Sequence, residues 1–368
     1  MLTLRNALIR SVVTQKGPLA WQRRFQKARL ALPELSPEDL AARLAETEPG
    51  TEGSPTDEEI LADLERRKVK HTTLADGDYP LMLKQIADPP PVLFYSGEVQ
   101  TLHRPGIAVV GSRSCSTYGR QITKKLAGDL AELGFTIVSG LALGIDAHAH
   151  RAALEVGGRT AAVLASGMDV IYPHAHRPLA REIIRRHGAI LSEFPPGTPP
   201  KAFHFPIRNR IISGLAHATV IVEAREKSGS LITARHCLDQ GRELLAVPGP
   251  IHRPTALGTN RLIFDGEAQM LLSIEDVLTQ LKPLLGMAAA HQRQKTVYIS
   301  DPLAQKIYDR LDAYESLALD SLLSELKLEP GAALARLVDL ESLGLVEALP
   351  GQHYLRNPLR SGSHLPKP

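Results

Sequence analysis

The sequence has few cysteines and no long apolar run. Its two cysteines, Cys115 and Cys237, lie far apart in a chain of 368 residues, and no secretion signal precedes them. We therefore expect free thiols in a reducing compartment, with a single disulfide between them as the less favoured alternative. No apolar stretch approaches the roughly 20 residues that span a bilayer, and the N-terminus lacks the apolar segment of a signal peptide. These absences predict a cytoplasmic protein that makes no contact with a membrane.

Patterns typical of metal sites and of nucleophilic enzymes are also missing. Two pairs of histidines, His148 with His150 and His174 with His176, are spaced two residues apart, and side chains at that spacing diverge on a helix. No pair of cysteines has the spacing of a zinc site. Neither a Gly-x-Ser-x-Gly motif nor a Walker A lysine motif is present. We therefore predict no metal, no cofactor and no ATP-driven chemistry.

The net charge of +3 is small, but the charges are unevenly distributed along the chain. Residues 1–33 contain seven Lys and Arg and no Asp or Glu, whereas residues 301–357 contain ten acids and five bases. The middle of the chain is close to neutral. An anion-binding site in the middle must therefore arise from a local arrangement of groups and not from an overall basic field.

From Gly106 onward, short apolar runs alternate with helical segments. Continuous apolar strands separated by helices are typical of a parallel sheet that is covered on both faces. We therefore predict an α/β fold with an extended Rossmann-like parallel sheet, in which ligands bind at the carboxyl ends of the strands. The predicted strands are Ile107–Val110, Phe135–Val138, Thr160–Leu164, Ala189–Leu191, Thr219–Val222 and Glu243–Val247.

The regions on either side of this domain have different patterns. Leu4, Leu8 and Val12 recur at helical spacing near the N-terminus, and three helical segments followed by a hairpin-like end predict a winged helix near the C-terminus. The predicted organisation is a small helical domain over 1–75, the central domain over 76–285, a linker over 286–300, the winged helix over 301–357 and a disordered tail over 358–368.

Small-residue turns follow several of the predicted strands. Gly111 and Ser112 lead into Arg113, Ser139 and Gly140 follow the second strand, and Ser228 and Gly229 precede a helix. Such turns let the backbone approach an anion at a helix N-terminus, and an arginine offers a planar fork for a phosphate. Each turn alone is a weak signal, because an ordinary turn with a surface arginine has the same sequence. Several such turns at one edge of a sheet predict a cleft that binds phosphate groups.

A proline-rich loop near residues 195–205 delivers Lys201 and Phe205 to the start of a helix. A lysine suits a phosphate and an aromatic ring suits a base, although the phenylalanines of this loop could equally pack the loop itself. Arg208 and Arg210, which flank Asn209, point about 200° apart on a regular helix. Either both lie in an open first turn, or one of them pairs with a carboxylate inside the domain.

Several runs of residues in order along the chain carry a resemblance to a known family. Over about residues 80–282 the chain resembles the DNA-processing protein A family, also called Smf. The runs are Val109-Val-Gly-Ser-Arg113, Ile137 to His148, Gly167-x-Asp169-x-x-Tyr-Pro173, Ser192 to Thr198, Phe205-Pro-x-Arg-Asn-Arg-Ile-Ile-Ser-Gly214, Ser228 to Ala234 and Ala246-Val-Pro-Gly-Pro250.

The resemblance implies a protein that binds single-stranded DNA without being an enzyme, forms a homodimer, and loads the RecA recombinase in natural transformation and recombination. One position departs from the family: an asparagine usually occurs soon after its Tyr-Pro, and this chain has His176 at that position, three residues after Pro173. The implied DNA ligands are Gly111, Ser112, Arg113, Ser139, Gly140, Lys201, Phe205, Arg208, Asn209, Arg210, Ser228 and Gly229.

The flanking domains resemble those of the same family, a sterile-alpha-motif-like domain and a winged helix. The third helix of the winged helix contains Arg336 but also Asp339 and Glu341, whereas a helix that reads DNA is usually basic. We therefore expect the winged helix to contact protein. The basic N-terminal segment is the better candidate for a second DNA contact, through Arg5, Arg10, Arg23, Arg24 and Lys27.

Two other functions remain open on the sequence alone. A nucleotide-processing enzyme related to phosphoribohydrolases would have the same fold, but its Pro-Gly-Gly-x-Gly-Thr run is replaced here by the segment that starts with Glu223-Ala224. The other alternative is an adaptor for protein partners, in which DNA binding is incidental.

Overall fold

A computed structural model of the chain describes residues 2–14, 18–31, 35–46, 55–281, 299, 301–311 and 316–356. The chain divides into two compact units, residues 1–282 and residues 283–368. Apart from residue 299, the predicted linker over 286–300 lies outside the described residues, as does the predicted tail over 358–368.

The first unit begins with four helices, as the sequence predicted. They are α1 (Leu2–Thr14), α2 (Pro18–Ala31), α3 (Pro37–Glu46) and α4 (Asp57–Arg66). Helix α4 starts with a capping box, in which the Thr56 side chain accepts from the Glu59 amide and the Glu59 side chain accepts from the Thr56 amide. Leu8 and Phe25 are buried in the same apolar core as Leu93 and Phe94 of the following sheet. The helices and the sheet therefore form one folded unit.

A nine-stranded sheet is the centre of this unit. Its strands are β1 (Lys70–Thr73), β2 (Val92–Gly97), β3 (Gly106–Val110), β4 (Thr136–Ser139), β5 (Thr160–Val163), β6 (Ala189–Ser192), β7 (Ala218–Ile221), β8 (Glu243–Ala246) and β9 (Gln269–Met270). They lie in the order β1-β2-β6-β5-β4-β3-β7-β8-β9. The pairs from β6 to β9 are parallel, and β1 and β2 add an antiparallel edge.

Further helices connect the strands. They are α5 (Leu81–Lys84), α6 (Thr117–Glu132), α7 (Ile145–Glu155), α8 (Arg177–Arg185), α9 (His204–Gly214), α10 (Gly229–Asp239), α11 (Leu257–Phe264) and α12 over residues 274–281. The chain leaves β3 toward β4 on one side and later returns to β7 on the other side. The strand order therefore reverses between β3 and β7, and such a reversal opens a crevice at the carboxyl ends of the strands.

The six predicted strands and the Rossmann-like sheet are confirmed, but the edge strands were missed. Strand β1 lies within the range predicted to be a separate helical domain, and it pairs with β2 instead. Lys70 and His71 give β1 a polar start, and three consecutive prolines, Pro89-Pro90-Pro91, precede β2. The boundary predicted at residue 75 therefore does not separate the helices from the sheet, because the first strand of the sheet already begins at residue 70.

The second unit is a winged helix, as predicted. Helices α13 (Pro302–Arg310), α14 (Leu319–Leu326) and α15 (Pro330–Ser342) pack with a three-stranded sheet of β10 (Leu317–Ala318), β11 (Val346–Leu349) and β12 (His353–Arg356). Ile307, Leu322 and Leu337 are fully buried in its core. On α15, Arg336 forms ion pairs with Asp301 and Asp339. Over the described residues of the whole chain, every helix is too short or too polar to cross a bilayer.

A buried histidine links α7 to the sheet. His150 is fully buried, and its Nδ1 lies 2.6 Å from the Thr160 hydroxyl, which itself donates to the Ile137 carbonyl at 2.6 Å. The Thr160 hydrogen is used by that carbonyl, so Nδ1 is the donor toward Thr160. The other ring nitrogen, Nε2, is buried without a hydrogen-bond partner. Burial lowers the pKa of His150 to about 3, because a proton on Nε2 would have no acceptor.

This histidine predicts a loss of stability in acid. Below pH 6.5 the unfolded chain binds a proton at His150 that the folded chain does not bind until about pH 3, so the free energy of unfolding falls over that window. The contribution of one such group is at most about 1.4 kcal/mol per pH unit. Urea unfolding between pH 7 and pH 4.5 should show a shallower decline for His150→Gln than for the wild type. His174→Gln, at an exposed position, should decline like the wild type. Parallel declines for wild type and His150→Gln would contradict this account.

Candidate nucleic-acid interface

An open cleft of about 690 Å³ lies at the carboxyl ends of the strands. Its walls come from the loops after β3, β4 and β7 and from the first turns of α9 and α10. The small-residue turns that the sequence predicted to gather at one edge of the sheet therefore do meet there. Eight of the twelve predicted ligand residues line the cleft: Gly111, Ser112, Arg113, Phe205, Arg208, Asn209, Ser228 and Gly229.

The ring of Phe205 lies within reach of two guanidinium groups. The central carbon of the Arg113 guanidinium is 5.0 Å from the ring centroid, and that of Arg208 is 5.8 Å from it. Tyr172 makes an edge contact with the same ring at 5.8 Å. Arg113 is exposed, whereas Arg208 is buried. The cleft therefore combines an aromatic face with one exposed and one buried positive charge.

Arg208 is held beneath Phe205 by backbone carbonyls. Its Nη1 donates to Gly140 at 2.9 Å and also to Val163, at the ends of β4 and β5. A side chain at position 140 would collide with this guanidinium, since an added Cβ would lie 2.8 Å from its Nη2. Burial lowers the pKa of Arg208 to about 10, and the negative charge of Asp146 opposes that shift. The guanidinium is thus still protonated at neutral pH and supplies a positive charge at the floor of the cleft.

Asp146 has a structural role. Its Oδ2 accepts from the backbone amides of Gly140 at 3.1 Å and Ala142 at 3.4 Å, so it fixes the turn after β4. Burial raises the pKa of Asp146, and the charge of Arg208 opposes the rise. Asp146 also lines the cleft, so it is a polar acceptor near Arg208 and Arg113.

The N-terminus of α6 is closed to an external anion, contrary to the reasoning from the sequence. The Glu223 carboxylate occupies it, accepting from the Ser116 amide at 2.8 Å and the Ser116 hydroxyl at 2.6 Å. The Ser112 amide donates to the Glu223 carbonyl at 2.7 Å, and an added Cβ at Gly111 would lie 2.9 Å from the same oxygen. Gly111 and Ser112 therefore serve first to bring β3 close to β7, and Arg113 is the exposed group of this turn.

The N-terminus of α10 lies on the opposite wall and does open on the cleft. Ser228 is its N-cap and accepts from the Ser230 amide at 3.3 Å. An added Cβ at Gly229 would meet no atom within 4 Å, so the backbone at this point is open to a ligand. Asn209 donates to the Gly229 carbonyl at 3.2 Å and thereby ties α9 to α10.

Four predicted ligand residues do not line the cleft. The Ser139 hydroxyl is buried and donates to the Val109 carbonyl at 2.7 Å, and Gly140 makes room for Arg208. Arg210 is 2% exposed and pairs with Glu193 at 2.8 Å and with Asp88 at 3.2 Å. Of the two arginines on α9, Arg210 is thus the one that pairs inside the domain, and its guanidinium cannot reach DNA in this structure.

Lys201 lies outside the cleft as well. Its neighbours Pro200 and Ala202 line the cleft, whereas Lys201 is exposed and its Nζ lies 5.8 Å from the ring centroid of Phe203. Residue spacing predicts the direction of a side chain on a regular helix, but it does not predict that direction in an irregular loop such as this one.

The basic N-terminal residues are divided between paired and exposed positions. Arg5 pairs with Asp76 at 3.3 Å, Arg10 pairs with Asp57 at 3.4 Å, and Arg24 donates to the Leu44 carbonyl at 3.4 Å. Arg23 and Lys27 are exposed on α2.

The cleft residues that were not predicted as ligands include one exposed tyrosine and two exposed cations. Tyr172, which is 46% exposed, and the exposed Arg225 and Lys227 all line the cleft. Arg225 and Lys227 follow β7 and precede the Ser228 turn, so the same strand-end argument that selected Ser228 could have found them. Tyr172 lies in a loop without periodicity, and its approach to Phe205 depends on the tertiary fold.

The histidines and carboxylates around the cleft have internal partners. His176, at the position that departs from the family, is buried, and its Nδ1 lies 2.8 Å from the Leu141 carbonyl. The Glu223 carboxylate also accepts from the Thr255 hydroxyl at 3.1 Å and does not line the cleft. Within the described part of the chain, no group of three or more His, Cys, Asp or Glu residues could hold a metal ion.

Comparison with known proteins gives matches across both units. A family model described as DNA recombination-mediator protein A matches residues 70–282, and one described as DprA winged helix domain matches residues 291–352. Protein Smf of Synechocystis is 37% identical over 337 residues, which are 81% of this chain and 83% of that protein. DNA processing protein DprA of Bacillus subtilis is 43% identical over 223 residues, which are 60% of this chain and 74% of that protein.

Solved structures show the same similarity. DNA processing protein A from Streptococcus pneumoniae aligns with a TM-score of 0.59 and 33% identity, over 75% of this chain and 97% of that one. The protein of the same name from Helicobacter pylori, described for its single-stranded DNA binding mode, aligns with a TM-score of 0.53 and 32% identity, over 58% of this chain and 96% of that one. The residues that match the first family model include all nine strands and every residue that lines the cleft.

The contrasting environments of Arg210 and Arg113 predict contrasting effects on stability. Arg210→Ala leaves Glu193 buried without its partner, and losses of about 3–5 kcal/mol in the free energy of unfolding are typical of such a change. Arg113→Ala, at an exposed position, should change it by no more than about 0.5 kcal/mol. Urea denaturation at pH 7 measures both. Adding Glu193→Leu to Arg210→Leu should recover part of the loss, since both buried charges are then gone. Equal stabilities for the two alanine variants would show that the Arg210 pair is not structural.

Proposed function

The chain belongs to the DNA recombination-mediator protein A family, and we propose that it holds single-stranded DNA in the cleft without doing chemistry on it. The observation that carries this proposal is the Phe205 ring with the guanidiniums of Arg113 and Arg208 at 5.0 and 5.8 Å. A ring beside positive charge suits a nucleotide, because the base stacks on the ring while its phosphate meets the cation. Stacking of this kind tolerates any base and requires that the base be unpaired.

The shape of the cleft also favours a single strand. Phe205 lies at the carboxyl ends of the strands, in a cleft of about 690 Å³ whose floor is Arg208. A base has to leave a double helix before it can enter a pocket of this kind, and unpairing costs a few kcal/mol. The exposed Arg225 and Lys227 on the far wall would meet the continuing phosphate backbone. We therefore expect a clear preference for single-stranded over double-stranded DNA.

The proposal extends to partners. The family's role as a recombination mediator supports the RecA recombinase as the protein that receives the bound strand, in transformation or in repair. The exposed apolar side chains Met270, on the edge strand β9, and Leu272, two residues after it, support a homodimer formed through that edge. The two acids of α15, against its single arginine, support a protein contact by the winged helix.

Two further parts of the proposal concern the N-terminal helices and the compartment. Arg23 and Lys27 are exposed on α2, so we propose that a second DNA contact would use them. Cys115 and Cys237 are both unpaired thiols, which agrees with the reducing cytoplasm that we propose for this protein.

Arg113→Ala should weaken binding of single-stranded DNA by about 10- to 100-fold, because a charge-assisted contact to a phosphate is lost. The slope of log affinity against log salt should become shallower by about 0.7, as expected for one phosphate contact on a single strand. Fluorescence anisotropy with a labelled oligothymidylate at several salt concentrations measures both quantities. Lys125→Ala is the matched control, since Lys125 is an exposed cation that pairs with Asp129 outside the cleft.

Two further measurements separate the proposal from its alternatives. Unchanged DNA affinity for Arg113→Ala, together with failure to recruit RecA, would favour an adaptor. Release of free base from nucleoside monophosphates by the purified wild-type protein would favour an enzyme.

Phe205→Ala should weaken the same complex by about 5- to 150-fold, the range for losing one stacked base. Its salt slope should stay at the wild-type value, because no phosphate contact is removed. Phe205→Trp, which keeps an aromatic face, should bind close to wild type. Equal affinities for Phe205→Ala and the wild type would show that the base does not stack on this ring.

A further inference from the structure

A second aromatic ring lies exposed beside the cleft and packs against a buried ring behind it. Phe203, the residue before α9, is 50% exposed. Its ring meets the His204 ring edge-on, with centroids 4.6 Å apart and planes at 85°. His204 is buried, stacks on Phe194 at 4.2 Å, and lies with Nδ1 3.2 Å from the Ala165 carbonyl. Phe203 therefore contacts the buried His204 ring, which in turn stacks on Phe194, and half of the Phe203 side chain remains exposed to solvent.

The loop that carries Phe203 is pinned at several points. The Gly197 amide donates to the Asp169 carboxylate at 2.8 Å, and the Gly167 amide donates to the Thr198 carbonyl at 2.9 Å. Prolines at 195, 196, 199 and 200 restrict the backbone torsion of this segment further. A loop whose backbone is already restrained loses less conformational entropy when a ligand packs on it.

A positive charge accompanies this ring, as it does at Phe205. The Nζ of Lys201 lies 5.8 Å from the centroid of Phe203, and both side chains are exposed. Successive residues of this loop alternate in position: Pro200 and Ala202 line the cleft, whereas Lys201 and Phe203 lie outside it. Phe203 and Phe205, two residues apart in the chain, thus each lie beside a cation. Phe205 lies beside Arg113 inside the cleft, and Phe203 lies beside Lys201 outside it.

We propose that Phe203 and Lys201 form a second nucleotide position, at which an unpaired base of the strand leaving the cleft stacks on Phe203 while Lys201 contacts a phosphate. This inference rests on the proposed binding of single-stranded DNA at Phe205. It gives Lys201 a part in binding although its side chain does not line the cleft. Because neither group offers a pattern of donors and acceptors to a base edge, the position accepts any base.

The alternative is that Phe203 only packs the loop. A packing role would make stability depend on this side chain and would leave DNA affinity unchanged apart from loop disorder. Its half-exposed ring argues against that role, since the two rings behind it, His204 and Phe194, are already buried.

A series of oligothymidylates of increasing length tests the proposal with the full-length chain. Phe205→Ala should weaken binding at every length, whereas Phe203→Ala should leave the shortest oligomers unaffected and weaken the longer ones by about 5- to 150-fold. Phe203→Trp should restore the length dependence, and Phe203→Leu, which keeps an apolar side chain without a ring, should not. Equal thermal unfolding temperatures of these variants would establish that the loop is intact.

Oligomers with one abasic site at successive positions locate the base. In the wild type, an abasic site at one position beyond the base held by Phe205 should reduce affinity by a similar factor, and in Phe203→Ala that position should lose its effect. A Phe203→Ala variant that binds all lengths like the wild type would overturn the second position and leave the proposed function standing, provided that Phe205→Ala still weakens binding. A wild-type protein that binds no single-stranded DNA would overturn both.

Discussion

The buried guanidinium of Arg208 is the constraint on which the cleft depends. It binds the backbone carbonyls of Gly140 and Val163, so one side chain joins the carboxyl ends of β4 and β5. Burying a cation is costly unless its hydrogens are satisfied, and these carbonyls together with the Asn209 side chain satisfy several of them. Asp146 lies close by but also holds the amides of Gly140 and Ala142, so its charge is shared. Positive charge therefore remains at the floor of the cleft, where a phosphate can use it.

The carboxylates around the sheet are arranged so that this positive charge is not cancelled. Glu223 lies at the N-terminus of α6 and neutralises that helix end inside the protein, whereas the N-terminus of α10 remains open on the cleft. Glu193 likewise forms a buried ion pair with Arg210 and does not face the cleft. Although the net charge of the protein is small, positive and negative groups are separated locally. Glu223 and Glu193 bind groups inside the protein, whereas the cations Arg113, Arg225 and Lys227 line the cleft.

The sequence predicted the framework of the site better than the direction of its side chains. Continuous apolar runs that end in Gly or Ser are enough to place Gly111, Ser139 and Ser228 at one edge of the sheet, because parallel strands end on the same side. The 3.6-residue period shows that Arg208 and Arg210 diverge, but the choice between them depends on Glu193, a strand-end residue that the fold brings to α9. For Lys201 no period exists at all, since its loop is irregular. The polar start of β1 and the prolines before β2 concealed the antiparallel edge for a similar reason: pairing partners, and not local sequence, make these segments strands.

The position of the aromatic loop connects the N-terminal helices to the cleft. Asp169 accepts from the Gly197 amide in that loop at 2.8 Å and pairs with Arg67, just after α4, at 3.3 Å. The same helices share their apolar core with the sheet, and Gln22 on α2 bonds to Asp88, which also pairs with Arg210 on α9. The helical region therefore contacts, through Asp169 and Asp88, both the loop that presents Phe203 and the helix that carries Phe205 and Arg208. Because these links are polar and partly exposed, they fix the geometry of the loop more than they add to its stability. The N-terminal helices thus support the loop that we propose to bind a nucleotide, and the apolar core that they share with the sheet makes them part of the same folded unit.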